Sequence, residues 1–362
     1  MTFDFKKVFS SLQTKKVLPL SKVVGIDFGS SSVKVVELEK RDDVIALATY
    51  GELQLGPYGE TGMGSAVKLP IQKRIEAVVD VLRESGVTAK DCVFALPLSD
   101  SFVTMMSLPA NAEEDIAPRV TVEARKYIPI PINDVTLEWT EIPQVGEAEA
   151  LSREVLLVAI QNQSLSDIKM VLDAIGMISK PAEIELFSVL RSATKETDTS
   201  IAVIDLGASV SKLYIAQGGF LRRLHRVQFG GAFATTSIAA QLQISFDEAE
   251  NLKRNYSPQH PSAEVVKKSV EQTFERSFQE FKRVIGQYEL RSGTPVGRIV
   301  LTGGGAAFTG AQQYSTYVFD REVEIINPFT KIAYPAFLED TLTNIAPSFA
   351  VALGAALRQF EV

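Results

Sequence analysis

The chain of 362 residues has one cysteine and two histidines. A lone Cys92 excludes an internal disulfide and any cysteine-only metal site. His225 and His260 stand too far apart, in unrelated contexts, to suggest a metal pair. Apolar runs of the ~18 residues needed to cross a membrane are missing. No signal-peptide pattern is visible, so the expected compartment is the cytoplasm. Excess positive charge is missing too: 37 Lys and Arg against 44 Asp and Glu give a net charge of −7. That balance argues against a nucleic-acid partner. What is present is ordinary globular material, 46% hydrophobic and 22% charged. At about 100–200 residues per domain, the length allows two lobes or more.

An internal repeat dominates the pattern. Val24-Gly-Ile-Asp-Phe-Gly-Ser-Ser-Ser-Val-Lys-Val-Val-Glu-Leu38 returns as Val203-Ile-Asp-Leu-Gly-Ala-Ser-Val-Ser-Lys-Leu-Tyr-Ile-Ala216. Asp27 matches Asp205, Gly29 matches Gly207, Ser31 matches Ser209 and Lys34 matches Lys212. Each copy reads as strand, tight turn, strand. Ordinary hairpins with glycine turns are the plainer reading, but their recurrence with the same Asp, Gly, Ser and Lys is far less common. The chemistry suits a phosphate clamp. Gly29 lets backbone approach an anion, the N–H groups of Ser30, Ser31 and Ser32 can form a nest, and Lys34 supplies a charged donor. Asp27 and Asp205, each at a strand end, can face each other and hold Mg²⁺ through its waters.

A third motif, Arg298-Ile-Val-Leu-Thr-Gly-Gly-Gly-Ala-Ala-Phe-Thr-Gly310, runs an apolar strand into three glycines. Alone it is a weak signal. After two phosphate-type hairpins, a surface without side chains at Gly303, Gly304 and Gly305 suits a flat base and its sugar.

In this order and spacing the three motifs resemble those of the actin/Hsp70/sugar-kinase ATPase superfamily. The stretch from Asp27 to Lys34 looks like its first phosphate loop, Asp205 to Ser209 like its second, and Leu301 to Gly310, with Phe308, like its adenosine motif. Pro181–Leu190 and Ala346–Leu357 resemble its two connecting helices. Within the superfamily the chain resembles the PilM family of type IV pilus assembly, a relative of FtsA, from about Lys22 onward. The order Ser107-Leu-Pro109, acidic Glu113-Glu-Asp115, Val122-Glu-Ala-Arg-Lys-Tyr-Ile-Pro-Ile-Pro131, strand Val135–Trp139 and strand Glu154–Ile160 looks like the extra subdomain that PilM and FtsA share. Pro129 and Pro131 stop the preceding helix on their own account, so a plain helix-to-strand corner is the competing reading.

The resemblance implies an α/β, actin-like fold with two lobes around a nucleotide cleft. Residues 1–22 form a basic tail, and 23–190 the first lobe with an insertion at about 100–178. Residues 191–345 form the second lobe, and 346–362 a closing helix on the first. It implies ATP with Mg²⁺ as cofactors. Glu250 and Lys253, three apart on one helix face, would grip ribose and base; a solvated ion pair is the alternative. Glu185 would orient an attacking water, or is simply a carboxylate at a helix start. Ala208 stands where actin has an acidic residue, so ATP binding is better supported than hydrolysis.

The partner implied is the cytoplasmic N-terminal peptide of a PilN-like inner-membrane protein, near Ile128, Ile130 and Leu137. Other pilus-platform proteins, indirect membrane association and a homo-oligomer follow the same resemblance. An FtsA-like membrane filament would need a C-terminal amphipathic anchor after a linker, and none follows Leu357. A small-molecule kinase would need a further cleft carboxylate as base, and a chaperone ATPase a substrate domain. The first 22 residues hold five lysines beside Phe3, Phe5, Val8, Phe9 and Leu12; they read as a partly ordered tail or a membrane-surface helix. Gly56 to Ser65 is expected to be an exposed glycine-rich loop.

Overall fold

The computed structural model describes residues 22–109, 116–143, 152–179 and 182–360. The basic stretch 1–21 and the acidic run 113–115 lie outside the described residues, as does the polar hairpin tip that the sequence suggests from Gln144 to Ser152, except for Ser152 itself.

The chain begins with β1 (Lys22–Phe28), β2 (Ser32–Arg41) and β3 (Val44–Gln54), an antiparallel meander. Helix α1 (Ile71–Glu84) crosses back to β4 (Asp91–Leu96), which pairs parallel to β1. Strands β5 (Ser101–Pro109), β6 (Val135–Ile142) and β7 (Ser152–Gln161) make a separate antiparallel sheet, ordered β5-β7-β6. Helix α2 (Ala117–Ala124) stands between β5 and β6 in sequence. Helix α3 (Asn162–Ile175) ends at Gly176, whose φ of 66° is the left-handed cap that glycine favours. Short β8 (Ile178–Ser179) and β9 (Glu183–Ile184) both pair with β4. Then comes α4 (Glu185–Ala193).

The pattern now repeats. Strands β10 (Ser200–Leu206), β11 (Ser211–Gln217) and β12 (Phe220–Val227) form a second meander. Helices α5 (Gly231–Leu242), α6 (Phe246–Arg254) and α7 (Ala263–Ser292) lead to β13 (Arg298–Thr302), parallel to β10. Helix α8 (Ala311–Phe319) leads to β14 (Val323–Ile325), and α9 (Glu339–Ile345) and α10 (Ala350–Leu357) close the described chain. The two large sheets run β3-β2-β1-β4-β8 and β12-β11-β10-β13-β14. The sequence repeat is therefore a repeat of topology.

Strand β10 shows why. Ile201 and Val203 bury one face with α4 and α10, and Ala202 and Ile204 bury the other with α7. A strand covered on both sides reads as one continuous apolar run. Helix α7 offers Val270, Phe274, Phe278, Phe281 and Ile285 to that second face, as spacings of three and four dictate. Helix α10 is buried all round. Its small residues allow contact no larger side chain permits: a Cβ on Gly354 would sit 2.0 Å from the Ser188 carbonyl oxygen, and one on Gly25 2.0 Å from that of Ala352. The first connecting helix starts later than expected, because Glu183 and Ile184 join the edge of β4 before α4 begins.

Candidate functional site

In the two meanders Asp27 pairs in register with Lys34, and Asp205 with Lys212. The turns match as well: Gly29 N–H donates to Ser32 O (3.0 Å) and Gly207 N–H to Val210 O (3.2 Å). Both turns open onto one cleft of about 910 Å³ between the two large sheets. Asp27, Gly29, Ser30, Ser31, Ser32 and Lys34 line it from one side; Asp205, Gly207, Ser209, Gly303, Gly304, Gly305 and Phe308 line it from the other. Glu185, Glu250 and Lys253 complete the wall. At the apex the Ser209 hydroxyl donates to that of Ser30 across 3.2 Å.

The two lysines differ in their partners. Lys34 donates to Ser32 Oγ at 2.5 Å and pairs with Glu52 at 3.4 Å. Burial works against the Glu52 carboxylate, yet Lys34, Ser32 and Arg254 hold it below the usual range. Lys212 turns to Asp205 Oδ2 (3.0 Å) and Glu185 Oε1 (2.9 Å). Burial alone would lower its pKa, but Asp205 and Glu185 drive it well above the usual lysine range. The Asp27 carboxyl shows no ion pair or hydrogen bond among the described residues. Burial pushes its carboxyl up to about 7; Lys34 pulls the other way, Glu185 adds to the rise, Lys212 opposes it and Asp205 adds to it.

A direct magnesium cage does not exist here: among the described residues no group of three His, Cys, Asp or Glu side chains could hold a metal ion. The expected Asp27/Asp205 pair suits a hydrated ion on one side only, since Asp205 is already neutralised by Lys212. Glu185 is similarly committed, its Oε1 also accepting the Leu98 N–H at 2.7 Å. That oxygen is a held acceptor.

The glycine motif divides its labour. Gly303 has φ 84° and donates to the Pro347 carbonyl at 2.8 Å; a Cβ there would meet Asp205 Oδ1 at 2.4 Å. Gly305 packs on Leu206 and Phe274. Of the three consecutive glycines, Gly304 alone faces open space. Phe308 rests against the Tyr256 ring, centroids 4.9 Å apart.

Glu250 and Lys253 form no solvated surface pair. Ser245 and Glu248 cap α6 reciprocally. Its inner face then brings Glu250 Oε2 to Lys253 Nζ at 2.6 Å, and Lys253 donates to the Gly231 carbonyl and Thr235 hydroxyl. Burial dominates both groups. It pulls Lys253 below the usual lysine range, whereas Lys253, Thr235 and Arg254 hold Glu250 low against it. The loop from Gly56 to Ser65, expected to be exposed, is exposed at Pro57, Glu60, Thr61 and Met63 and buried at Gly56 and Gly64. Met63 N–H donates to Asp247 Oδ1 at 3.0 Å, Gly64 N–H to Gln54 Oε1 at 3.1 Å, and Arg254 reaches the same Gln54 oxygen. The loop bridges β3 to α6 across the cleft mouth.

Sequence reasoning left Lys212, Glu52 and Arg254 out of the site. The repeat did offer a signal for Lys212, as the partner of Lys34. The three residues expected near a peptide lie apart from the cleft lining: Leu137 on β6 of the third sheet, Ile128 and Ile130 in the segment between α2 and β6. Ile128 is only 7% exposed and fills the core with Val120, Val135 and Val155. Leu137 packs partly against that core, and Ile130 is exposed.

A family model described as type IV pilus assembly protein PilM matches residues 25–360. The cell division protein FtsA of Enterococcus faecalis is 22% identical, over 84% of this chain and 78% of that protein. A solved structure described as a PilM–PilN type IV pilus biogenesis complex superposes with a TM-score of 0.79 at 23% identity, covering 95% of this chain and 100% of the other. MreB5 of Spiroplasma citri, bound to ADP, superposes with a TM-score of 0.54 at 11% identity, over 93% and 95% of the chains. These likenesses give the chain the actin-like ATPase fold. Among the described residues no helix is long and apolar enough to cross a membrane.

Proposed function

The chain belongs to the PilM family of type IV pilus assembly proteins, and from that premise we propose that it is an ATP-binding adaptor of the pilus inner-membrane platform. One observation carries the reading. The two matched turns and the open face of Gly304 meet in a single cleft, with backbone donors on the phosphate side and a bare glycine on the base side. Gly29 to Ser32 and Gly207 to Ser209 would cradle the phosphates, and Glu250 and Lys253 border the ribose. Mg²⁺, when bound, neutralises phosphate charge and keeps most of its waters; Asp27 is the carboxylate to receive those waters. Glu185 is held by Lys212 and Leu98, which favours binding with slow turnover.

The partner is the cytoplasmic N-terminal peptide of a PilN-like membrane protein, which keeps the adaptor at the cytoplasmic face of the inner membrane. The PilM–PilN likeness supports that partner, and the exposed edge around Ile130 is where we place it. ATP biases the angle between the lobes flanking the cleft, and through it the affinity for the peptide. Such coupling is reciprocal and typically amounts to ~5–150-fold. Calorimetric titration of the peptide into the full chain, with and without saturating Mg-ATP, tests this. Two different affinities support the coupled adaptor, and equal affinities refute the coupling.

A further inference from the structure

The register of the two meanders sets up an asymmetry that the sequence repeat hides. On the first sheet one row of paired residues runs Asp27, Lys34, Glu52. On the second the equivalent row runs Asp205, Lys212, Arg226. The outer neighbour of the lysine is therefore acidic in one copy and basic in the other. Lys34 finds Glu52 on its outer side and pairs with it at 3.4 Å, leaving Asp27 without an ion pair. Lys212 has Arg226 as its outer register partner, which offers it no carboxylate. It turns inward, and its ammonium lies 3.0 Å from Asp205 and 2.9 Å from Glu185. Both carboxylates are buried. A charge in such surroundings has to be matched by a near partner, because water no longer screens it.

We propose that Lys212 is a built-in counter-cation of the nucleotide site: a tethered ammonium that does at Asp205 and Glu185 what a bound divalent ion would otherwise do. The inference rests on the reading of the cleft as an ATP site and deepens it. Three carboxylates, Asp27, Asp205 and Glu185, face the cleft that would hold a triphosphate. Without Lys212 they would repel it unless a metal ion intervened. With Lys212, one of the three negative charges is already balanced, its ammonium shared between Asp205 and Glu185, before any metal arrives. Nucleotide binding by this chain is then only weakly dependent on Mg²⁺, and the nucleotide-free protein has no need of the ion. Lys212 acts here as a positioning and charge-balancing residue, not a catalytic one.

The variant Arg226→Glu isolates the idea. It recreates on the second sheet the outer acid of the first, at an exposed strand position where folding is not at stake. Lys212 then shares its charge outward, as Lys34 does. Lys212→Met removes the charge outright, and Lys212→Arg keeps it. Two readouts are taken on the full chain: ATP affinity in Mg²⁺ and in EDTA, and the unfolding temperature with Mg²⁺ alone. In the wild type and Lys212→Arg, removing Mg²⁺ should change ATP affinity by less than about threefold. In Arg226→Glu and Lys212→Met it should cost roughly tenfold or more, within the span of ordinary site couplings. Mg²⁺ alone should raise the unfolding temperature of Arg226→Glu and Lys212→Met and leave the wild type unmoved. A wild type that loses more than tenfold in EDTA overturns the proposal, as does an Arg226→Glu protein that behaves like it. If no variant binds ATP, the ATP reading of the cleft falls. The Mg²⁺-only arm still decides on Lys212: stabilisation of the variants alone supports the internal cation, and stabilisation of the wild type refutes it.

Discussion

The hydroxyls of Ser30 and Ser209, 179 positions apart in sequence, touch across 3.2 Å at the apex of the cleft. They come from the two copies of the repeat, and their contact is where the first sheet meets the second around the site. A phosphate bound between the turns would take over both hydroxyls.

The double variant Ser30→Ala and Ser209→Ala tests that substitution of partners. A neutral hydrogen bond contributes about 1 kcal/mol net. ATP affinity should therefore fall roughly five- to tenfold. Stability without ATP should change by less than about 0.5 kcal/mol, as for ordinary sites away from the core. Calorimetry and urea unfolding measure the two numbers. Equal losses in both would make the serines structural.

Asp27 makes the nucleotide-free protein pH-dependent. Its folded pKa of about 7 lies above the unfolded carboxylate value. The folded state therefore binds the proton more tightly, and the associated stability is complete below about pH 4 and lost as pH rises toward 7. Between those limits one proton separates the folded from the unfolded state, so stability falls by about 1.4 kcal/mol for each pH step of one. Asp27→Asn should flatten that slope and leave the protein about 2–4 kcal/mol more stable than wild type at pH 8. Denaturant melts of both proteins at pH 5 and pH 8 give the difference. A constant offset between them would contradict the assignment.

The helices that join the two large sheets are pinned by a buried ion pair. Arg191 donates to Glu183 at 2.5 and 3.0 Å and to the Gly354 carbonyl at 2.9 Å. Arg191→Met leaves the Glu183 carboxylate with only the Ser188 hydroxyl at 2.6 Å and Arg358 at 3.5 Å, and should cost about 3 kcal/mol. Adding Glu183→Gln should recover part of that loss, because the under-matched buried carboxylate is gone and the Arg358 charge that it leaves is less deeply buried. A double-mutant cycle read by chemical denaturation checks the sign.

The loop over the cleft mouth should control nucleotide release. Gly64 has φ 81°, and a Cβ there would meet Glu250 Cδ at 2.4 Å. Gly64→Ala forces the loop away from α6 and releases the Met63–Asp247 link. The strain amounts to about 1–3 kcal/mol. Release of a fluorescent ATP analogue, followed by stopped flow, should be faster than in wild type; an unchanged rate would mean that the loop does not gate the site.

The parts of the molecule written in local pattern were legible. The strand–turn–strand repeat, the glycine motif after β13 and the apolar face of α7 each follow from period and turn chemistry. The phosphate-side and base-side residues expected from them all line one cleft. What escaped depends on partners distant in sequence. Glu185 met Lys212 through the placement of α4 against β11, which no spacing rule encodes. The link from the loop near Gly64 to α6 escaped because its partner Asp247 lies 184 positions away. Glu183 was expected in a helix, yet the edge of β4 drew it into a strand. Ile128, expected in the neighbourhood of a partner peptide, also fills the core under the third sheet.

The most direct test of the nucleotide reading uses Gly304, the one of the three consecutive glycines that faces open space. Gly304→Val leaves the fold room for its side chain but fills the place assigned to the base and sugar. Without ligand, the variant should unfold at the wild-type temperature. ATP at about a hundred times its Kd should stabilise the wild type by roughly 2.7 kcal/mol and the variant not at all. An ATP-induced shift retained in Gly304→Val, or absent from the wild type, would contradict an ATP site in this cleft.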